Sequence, residues 1–260
     1  MNLIKIKNQI DYWLAIIYDS YFAKKGIYVV GYTKSGTNWL RNLIRYYYNV
    51  DKDGDDDFFR VRVHHLHRFI PSSYFSKKSI YMIRDGRDTI VSRYFTMVRQ
   101  LSQQKMKNDF IIFSGKVPTQ DNITELLPDY INFLKTYHKS SIDYKSHILK
   151  AEKMKLYIIK YEDLHQNTEE VFKQVLIYLD NKTDLNIEKI NKVIFESSFE
   201  SSIKKKKVQS GFFREDGGKS GGWKQYFNKE SAMLFNEYAG DILLKYNYEK
   251  DNNWVEDFAK

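Results

Sequence analysis

Apolar and polar positions alternate along this chain in blocks that predict strands and helices in turn. Ile27-Tyr28-Val29-Val30, Ser79-Ile80-Tyr81-Met82-Ile83 and Leu156-Tyr157-Ile158-Ile159-Lys160-Tyr161 are short, mostly apolar runs bounded by polar turns, as expected of buried strands. From Phe58 to His64, Phe59, Val61 and Val63 alternate with Arg60 and Arg62, a strand period of two. Between these runs lie stripes of helical spacing: Trp39, Leu40, Leu43, Ile44 and Tyr47; Ile90, Val91, Tyr94, Phe95 and Val98; Leu126, Tyr130, Phe133, Leu134 and Tyr137; Val171, Phe172, Val175, Leu176 and Leu179. A last helix is expected around Leu234, Tyr238, Ile242 and Leu243. Buried strands separated by helices predict an α/β fold of three layers around a central, mainly parallel sheet. The segment Ser102–Asn122 shows neither period and reads as a long polar loop.

Ile6, Ile10, Trp13, Ile17 and Tyr21 recur at roughly helical spacing within residues 1–25, interrupted by Lys5, Lys7, Asn8, Gln9 and Asp11. That pattern suits a packing helix and lacks the apolar run of a signal peptide or membrane span. At 260 residues with three Pro and no repeat, a single domain over residues 1–260 is expected. Lys and Arg number 42 against 33 Asp and Glu, a net charge of +9 that favours an anionic partner. The absence of Cys excludes disulfides, thiol catalysis and Cys-based zinc sites.

Two turns carry the chemistry. Tyr32-Thr33-Lys34-Ser35-Gly36-Thr37-Asn38-Trp39 joins the first strand to the first helix. A glycine-bearing loop there aims backbone N–H groups at whatever the loop holds, and a phosphate or sulfate suits them. Lys34 adds a cation, and Ser35, Thr37 and Asn38 add side-chain donors. It is not a Walker A loop, which places Lys directly after Gly. The other candidate, Gly218-Lys219-Ser220, has Phe213 where the first Gly should stand. The second turn, Arg84-Asp85-Gly86-Arg87-Asp88, again joins a strand to a helix, and Ser92 lies about two helical turns into that helix. A guanidinium and a hydroxyl suit a phosphate dianion, whereas Asp85, Arg87 and Asp88 read as a surface salt-bridge cluster.

The acidic run Asp51-Lys52-Asp53-Gly54-Asp55-Asp56-Asp57 lacks the Gly and Glu register of an EF-hand and reads as a solvated loop, or as an attractor for a cationic acceptor. His64 and His65 project to opposite faces of a strand, which disfavours joint metal ligation and leaves a general base at a strand end as the sharper reading. His138 and His147 read as surface or boundary residues.

Together these motifs resemble the sulfotransferases that use 3′-phosphoadenosine 5′-phosphosulfate (PAPS). Lys34-Ser35-Gly36-Thr37-Asn38-Trp39 is similar to the family's 5′-phosphosulfate loop, with Thr33 where a Pro is common. Tyr81-x-x-Arg84-Asp85-x-x-Asp88-x-x-x-Ser92 resembles its 3′-phosphate signature, and Tyr161-Glu162-Asp163-Leu164 its adenine-contacting segment. Ser197-Ser198-Phe199 is similar to a Thr-Ser-Phe that approaches the nucleotide. Arg214 to Lys224, with Gly217, Gly218, Lys219, Gly221 and Gly222, resembles the loop that closes on the 3′-phosphate, although Arg214 lies two residues further from Trp223 than the family spacing and Gly222 replaces an Asp. Arg62-Val63-His64 with Pro71 fits the family spacing of its catalytic His, while His65-Leu66 matches its His-Leu pair in the rival register.

The resemblance implies a P-loop-kinase-like nucleotide site, PAPS as cofactor with its product adenosine 3′,5′-bisphosphate (PAP), and no metal. It further implies a small-molecule acceptor hydroxyl or amine, with secondary metabolites among the candidates, in a cytosolic-type enzyme. Lys34 and His64, with His65 as the alternative, would be catalytic. Ser35, Gly36, Thr37, Asn38, Trp39, Arg84, Ser92, Tyr161, Ser197, Phe199, Arg214, Gly218 and Lys219 would join Lys34 around the cofactor. The loop at 102–122 would cover the acceptor. No nucleic acid and no membrane span are implied, and the oligomeric state is left open. The competing readings are a nucleoside or nucleotide kinase of related fold and a non-catalytic basic nucleic-acid-binding protein.

Overall fold

The computed structural model describes residues 25–49, 61–66, 78–137, 143–197 and 220–258, with the backbone alone for Lys25 and 61–66. The expected N-terminal helix, the acidic run at 51–57, His67, Pro71, His138, Phe199, the Lys204–Lys207 run, Arg214, Gly217, Gly218 and Lys219 lie outside the described residues.

The described elements are β1 (Lys25–Gly31), α1 (Thr37–Tyr47), β2 (Val61–Leu66), β3 (Lys78–Ile83), α2 (Gly86–Arg99), α3 (Gln104–Ser114), α4 (Ile123–Thr136) and α5 (Tyr144–Lys153). They continue with β4 (Tyr157–Lys160), α6 (Tyr161–Gln166), α7 (Thr168–Asp180), α8 (Ile187–Ser197) and α9 (Lys229–Lys245), with short 3-10 turns at Leu101–Gln103, Gly222–Gln225 and Asn252–Phe258. By contact density the chain falls into two compact units. One takes its described residues from Met1–Gly31, Gly36–Met82 and Lys153–Ser198, the other from Tyr32–Ser35, Ile83–Glu152 and Phe199–Lys260.

The first unit holds the sheet, ordered β2-β1-β3-β4. β1 pairs in parallel with β2 (Tyr28 opposite His64, Val29 opposite His65) and with β3 (Gly31 opposite Met82). The predicted α/β class and parallel pairing are therefore observed. With β1 between β2 and β3, the β1/β3 boundary is a topological switch point, beyond whose carboxyl ends ligands settle in open α/β sheets. Ile27, Val29, Ile80 and Met82 from the strands meet Leu40, Leu43 and Ile44 of α1 and Phe172, Val175, Leu176 and Leu179 of α7 in one buried core. Trp39 and Tyr47, at the margins of the α1 stripe, are half-buried against it.

In the second unit, an aromatic core forms where Tyr94 of α2, Phe110 of α3 and Tyr130 and Phe133 of α4 pack edge to face, with centroids 5.3 Å apart for Tyr94–Tyr130 and 5.5 Å for Phe110–Tyr130. Phe110 corrects the expectation of an irregular loop across 102–122. Residues 104–114 form α3, closed by Gly115 at φ 70°, with Met106 and Phe110 buried one turn apart. The helix was hidden because its other apolar side chains, Ile112 and Phe113, are exposed and blur the period. In α9 the inward stripe is Ala232, Phe235, Ala239, Ile242 and Leu243, while Leu234 and Tyr238 are half-buried. No described helix is long and apolar enough to cross a membrane.

Candidate anion site

In the second unit, the loop after β1 turns sharply, with the Ser35 N–H donating to the Tyr32 carbonyl at 3.1 Å and its hydroxyl to the same oxygen at 2.7 Å. Lys34 holds φ 72°, a left-handed conformation that non-glycine residues seldom adopt and that concentrates at functional sites. Its ammonium has a pKa lowered by burial and then by the Arg84 charge. Arg84 Nη1 donates to the Lys34 carbonyl at 3.4 Å, so the two turns singled out by sequence meet. Arg84 is held from behind, because the buried Tyr144 hydroxyl donates to its carbonyl at 2.9 Å. The ring packs so closely at the start of α2 that a side chain on Gly86 would lie 2.6 Å from it. Ser92, predicted to join Arg84, is buried on the same helix at 8% exposure.

In the first unit, Gly36 caps α1 at φ 88°, and among the described residues no side chain caps that helix. A Cβ there would stand 2.5 Å from Cδ2 of Tyr161, so glycine is required twice over: for the conformation and for the approach of the ring. Thr37 is buried, Asn38 exposed and Trp39 half-buried. Trp39, Tyr161 and His165 form an aromatic group, with centroids 5.9 Å apart for Trp39–Tyr161 and 5.8 Å for Tyr161–His165. Tyr161 itself begins α6 and does not end the strand. Ser197 ends α8, its hydroxyl donating to the Ile194 carbonyl at 3.1 Å. His64 and His65 occupy successive positions of β2, described by backbone alone.

The structure corrects the reading of Asp85, Arg87 and Asp88 as a surface cluster. All three are buried, at 6%, 1% and 0% exposure. The Asp85 side chain caps α2 by accepting from the Arg87 N–H at 2.9 Å, and it also takes Arg87 Nε at 3.0 Å and Nη2 at 2.7 Å. Arg87 Nη1 donates to Glu249 at 2.5 Å, and its guanidinium lies 3.8 Å from the Trp223 ring centroid and 4.6 Å from that of Trp254. Asp88 accepts from the backbone N–H groups of Gly221 at 2.8 Å and Trp223 at 3.1 Å. Burial raises its pKa, opposed by Arg84 and those two N–H groups and reinforced by Asp85. This carboxylate ties the end of the glycine-rich segment to the helix that carries Ser92. The charges misled because a charged side chain at a helix start usually faces water; three charged positions buried all round leave no periodic trace. His147 is likewise not at the surface: it is 1% exposed and packs against Tyr32 at 5.8 Å between centroids.

The fold and these turns define an α/β protein whose first and third strands each run into an anion-suited turn at a helix start. A model of the sulfotransferase domain matches residues 55–247. The chain belongs to the sulfotransferase family, an enzyme family of sulfuryl transfer. Among curated proteins it is 24% identical to sulfotransferase 1E1 of Bos taurus, covering 84% of each chain. It is 26% identical to 3-alpha-hydroxysteroid sulfotransferase of Cavia porcellus, covering 84% of this chain and 83% of that one. Among solved structures it resembles mouse sulfotransferase SULT7A1 complexed with PAP (TM-score 0.54, 21% identity, 85% of this chain and 88% of that one). It also resembles retinol dehydratase in complex with androsterone and inactive cofactor PAP (TM-score 0.58, 14% identity, 88% and 85%). These likenesses show the shared fold.

Proposed function

We propose that this protein transfers the sulfuryl group of PAPS to a hydroxyl, or an amine, of a small-molecule acceptor. The observation that carries the reading is the hydrogen bond from Arg84 to the Lys34 carbonyl, which brings a guanidinium to a strained, cationic loop. A doubly phosphorylated nucleotide needs two anion sites close together. PAP-bound relatives of the same fold support the same ligand for this chain.

The residues fit such a nucleotide. Lys34, the Ser35 to Asn38 loop and the start of α1 would take the 5′ end, Arg84 and Ser92 the 3′-phosphate, and Trp39 and Tyr161 the base. Ser197, Phe199, Arg214, Gly218 and Lys219 complete the proposed set, and Asp88 holds Gly221 and Trp223 through their backbone N–H groups. When bound, PAPS supplies a sulfuryl group on a phosphate leaving group. Lys34 and the loop N–H groups stabilise charge that grows where that bond breaks. His64, or His65 in the rival register, removes the acceptor proton from a strand end beside β1. The sulfuryl group carries less charge than a phosphoryl group, so the proposed set needs no metal to neutralise it.

Thermal shift with PAP, ATP–Mg²⁺ and single-stranded DNA tests the class of ligand. A large rise in Tm with PAP in the presence of a chelator is expected. A larger rise with ATP–Mg²⁺ would favour a kinase, and one with DNA alone a nucleic-acid-binding protein.

A further inference from the structure

We propose that Arg93 recognises a carboxylate on the acceptor and so selects hydroxylated acids over neutral phenols and alcohols. The inference rests on the reading of the Lys34 loop as the PAPS loop. Arg93 follows Ser92 on α2, and its Nη1 donates to the hydroxyl of Tyr32, two residues before Lys34. Its guanidinium lies 5.0 Å from the Tyr32 ring centroid.

Among the described residues the surroundings of Arg93 are neutral. It faces the phenols of Tyr32 and Tyr130, and among the described residues no carboxylate forms an ion pair with it. Burial holds the Tyr32 phenol above its ordinary pKa despite Arg93, so it stays uncharged and is no counter-ion. Asp143, the nearest acid to Tyr32 in charge terms, is engaged by the Tyr238 hydroxyl at 2.8 Å and the Ser146 N–H at 3.1 Å. Six positions earlier on the same helix, Arg87 shows the alternative: a fully buried guanidinium neutralised by Asp85 and Glu249. Buried cations are paired as a rule. Arg93 is set deep enough for desolvation to be the largest influence on it, while the residue as a whole is half-buried. A recessed cation whose partners among the described residues are phenols is suited to an incoming anion.

That anion is assigned to the acceptor and not to the cofactor. The cofactor's charges already have Lys34 and Arg84. Successive residues of a helix project about 100° apart, so Arg93 does not share the direction of Ser92. Tyr32 also leaves its hydroxyl beside the guanidinium as a second donor for a carboxylate oxygen.

The test uses hydroxyphenyl-alkanoic acids of increasing chain length, each beside its methyl ester, with PAPS and the full chain. A charge-assisted contact of this kind is worth roughly 10- to 100-fold. Wild type is expected to favour the acid over its ester by about that factor in kcat/KM. Arg93→Gln is expected to bring the ratio close to one and Arg93→Lys to keep part of it, with PAP-induced thermal shift intact in both. Equal use of acid and ester by wild type overturns the proposal. So does an Arg93→Gln variant that loses both in the same proportion, which would assign Arg93 to the sulfuryl group or to folding. Transfer to neither member while PAP still binds also overturns it. Failure of wild type to bind PAP would overturn the nucleotide reading together with this inference.

Discussion

Gly36→Ala is the sharpest test of how the loop and the aromatic group depend on each other. Two costs add. Alanine at φ 88° meets the left-handed penalty of about 1–2 kcal/mol. Its Cβ would also lie 2.5 Å from Cδ2 and 2.8 Å from Cε2 of Tyr161, which forces the ring or the start of α1 to move. Overpacking of that kind costs roughly 1–3 kcal/mol. The sum is about 2–5 kcal/mol, or on the order of 5–15 °C in Tm for a chain of this size. Gly115→Ala is the internal control. Its φ of 70° carries a similar conformational penalty, but nothing lies within 4 Å of the added atom. Differential scanning calorimetry should therefore show a clearly larger loss for Gly36→Ala. Adding Tyr161→Leu should recover stability without recovering PAP affinity. If the two alanine variants lost the same Tm, the Tyr161 contact would contribute nothing and the reasoning would fail.

The same geometry sets other outcomes. Lys34→Gly relieves the strain at φ 72°, so it should hold or raise Tm while turnover collapses; a loss of both would show that the loop conformation is not strained. The depressed pKa of Lys34 gives a pH signature. Between its folded value and the unfolded ~10.4, the unfolded state holds more proton, so this group adds stability as pH rises while turnover falls. Both trends should be absent from Lys34→Met, measured by Tm and initial rate across the alkaline range. Arg84→Ala should erase the preference for PAP over AMP, a loss of roughly 10- to 100-fold measured by calorimetric titration. Arg87→Ala removes the buried guanidinium that Asp85 and Glu249 share and should cost about 3–5 kcal/mol in denaturant unfolding. His64→Ala should lower the rate by roughly two to four orders of magnitude and remove the acid limb of the pH profile, with His65→Ala largely active; the reverse pattern would move the role one residue along.

Much of this architecture was legible in the residues because it obeys one period at a time. The stripe Leu40, Leu43 and Ile44 and the run Ile80 to Ile83 announced a helix and a strand, and Lys34-Ser35-Gly36 announced the turn between them. The illegible parts are those where local pattern and tertiary burial disagree. Asp85, Arg87 and Asp88 carry surface-type side chains but spend them on one another, on Glu249 and on two backbone N–H groups. His147 is buried against Tyr32, a contact of residues far apart in sequence. In α3, exposed Ile112 and Phe113 mask the inward pair Met106 and Phe110. Arg93 escaped notice for the same reason, since the phenols it faces, Tyr32 and Tyr130, come from two segments far from it in sequence.

Sulfuryl transfer from PAPS stands or falls on product analysis in the presence of a chelator. Purified protein is incubated with PAPS and a panel of phenols, alcohols and amines, and PAP and sulfated acceptor are measured together. Equal amounts of PAP and sulfated product, formed only when a competent acceptor is present and abolished by Lys34→Ala, are expected. PAP without any sulfated product, or transfer to the same panel from ATP–Mg²⁺ instead, would contradict this function.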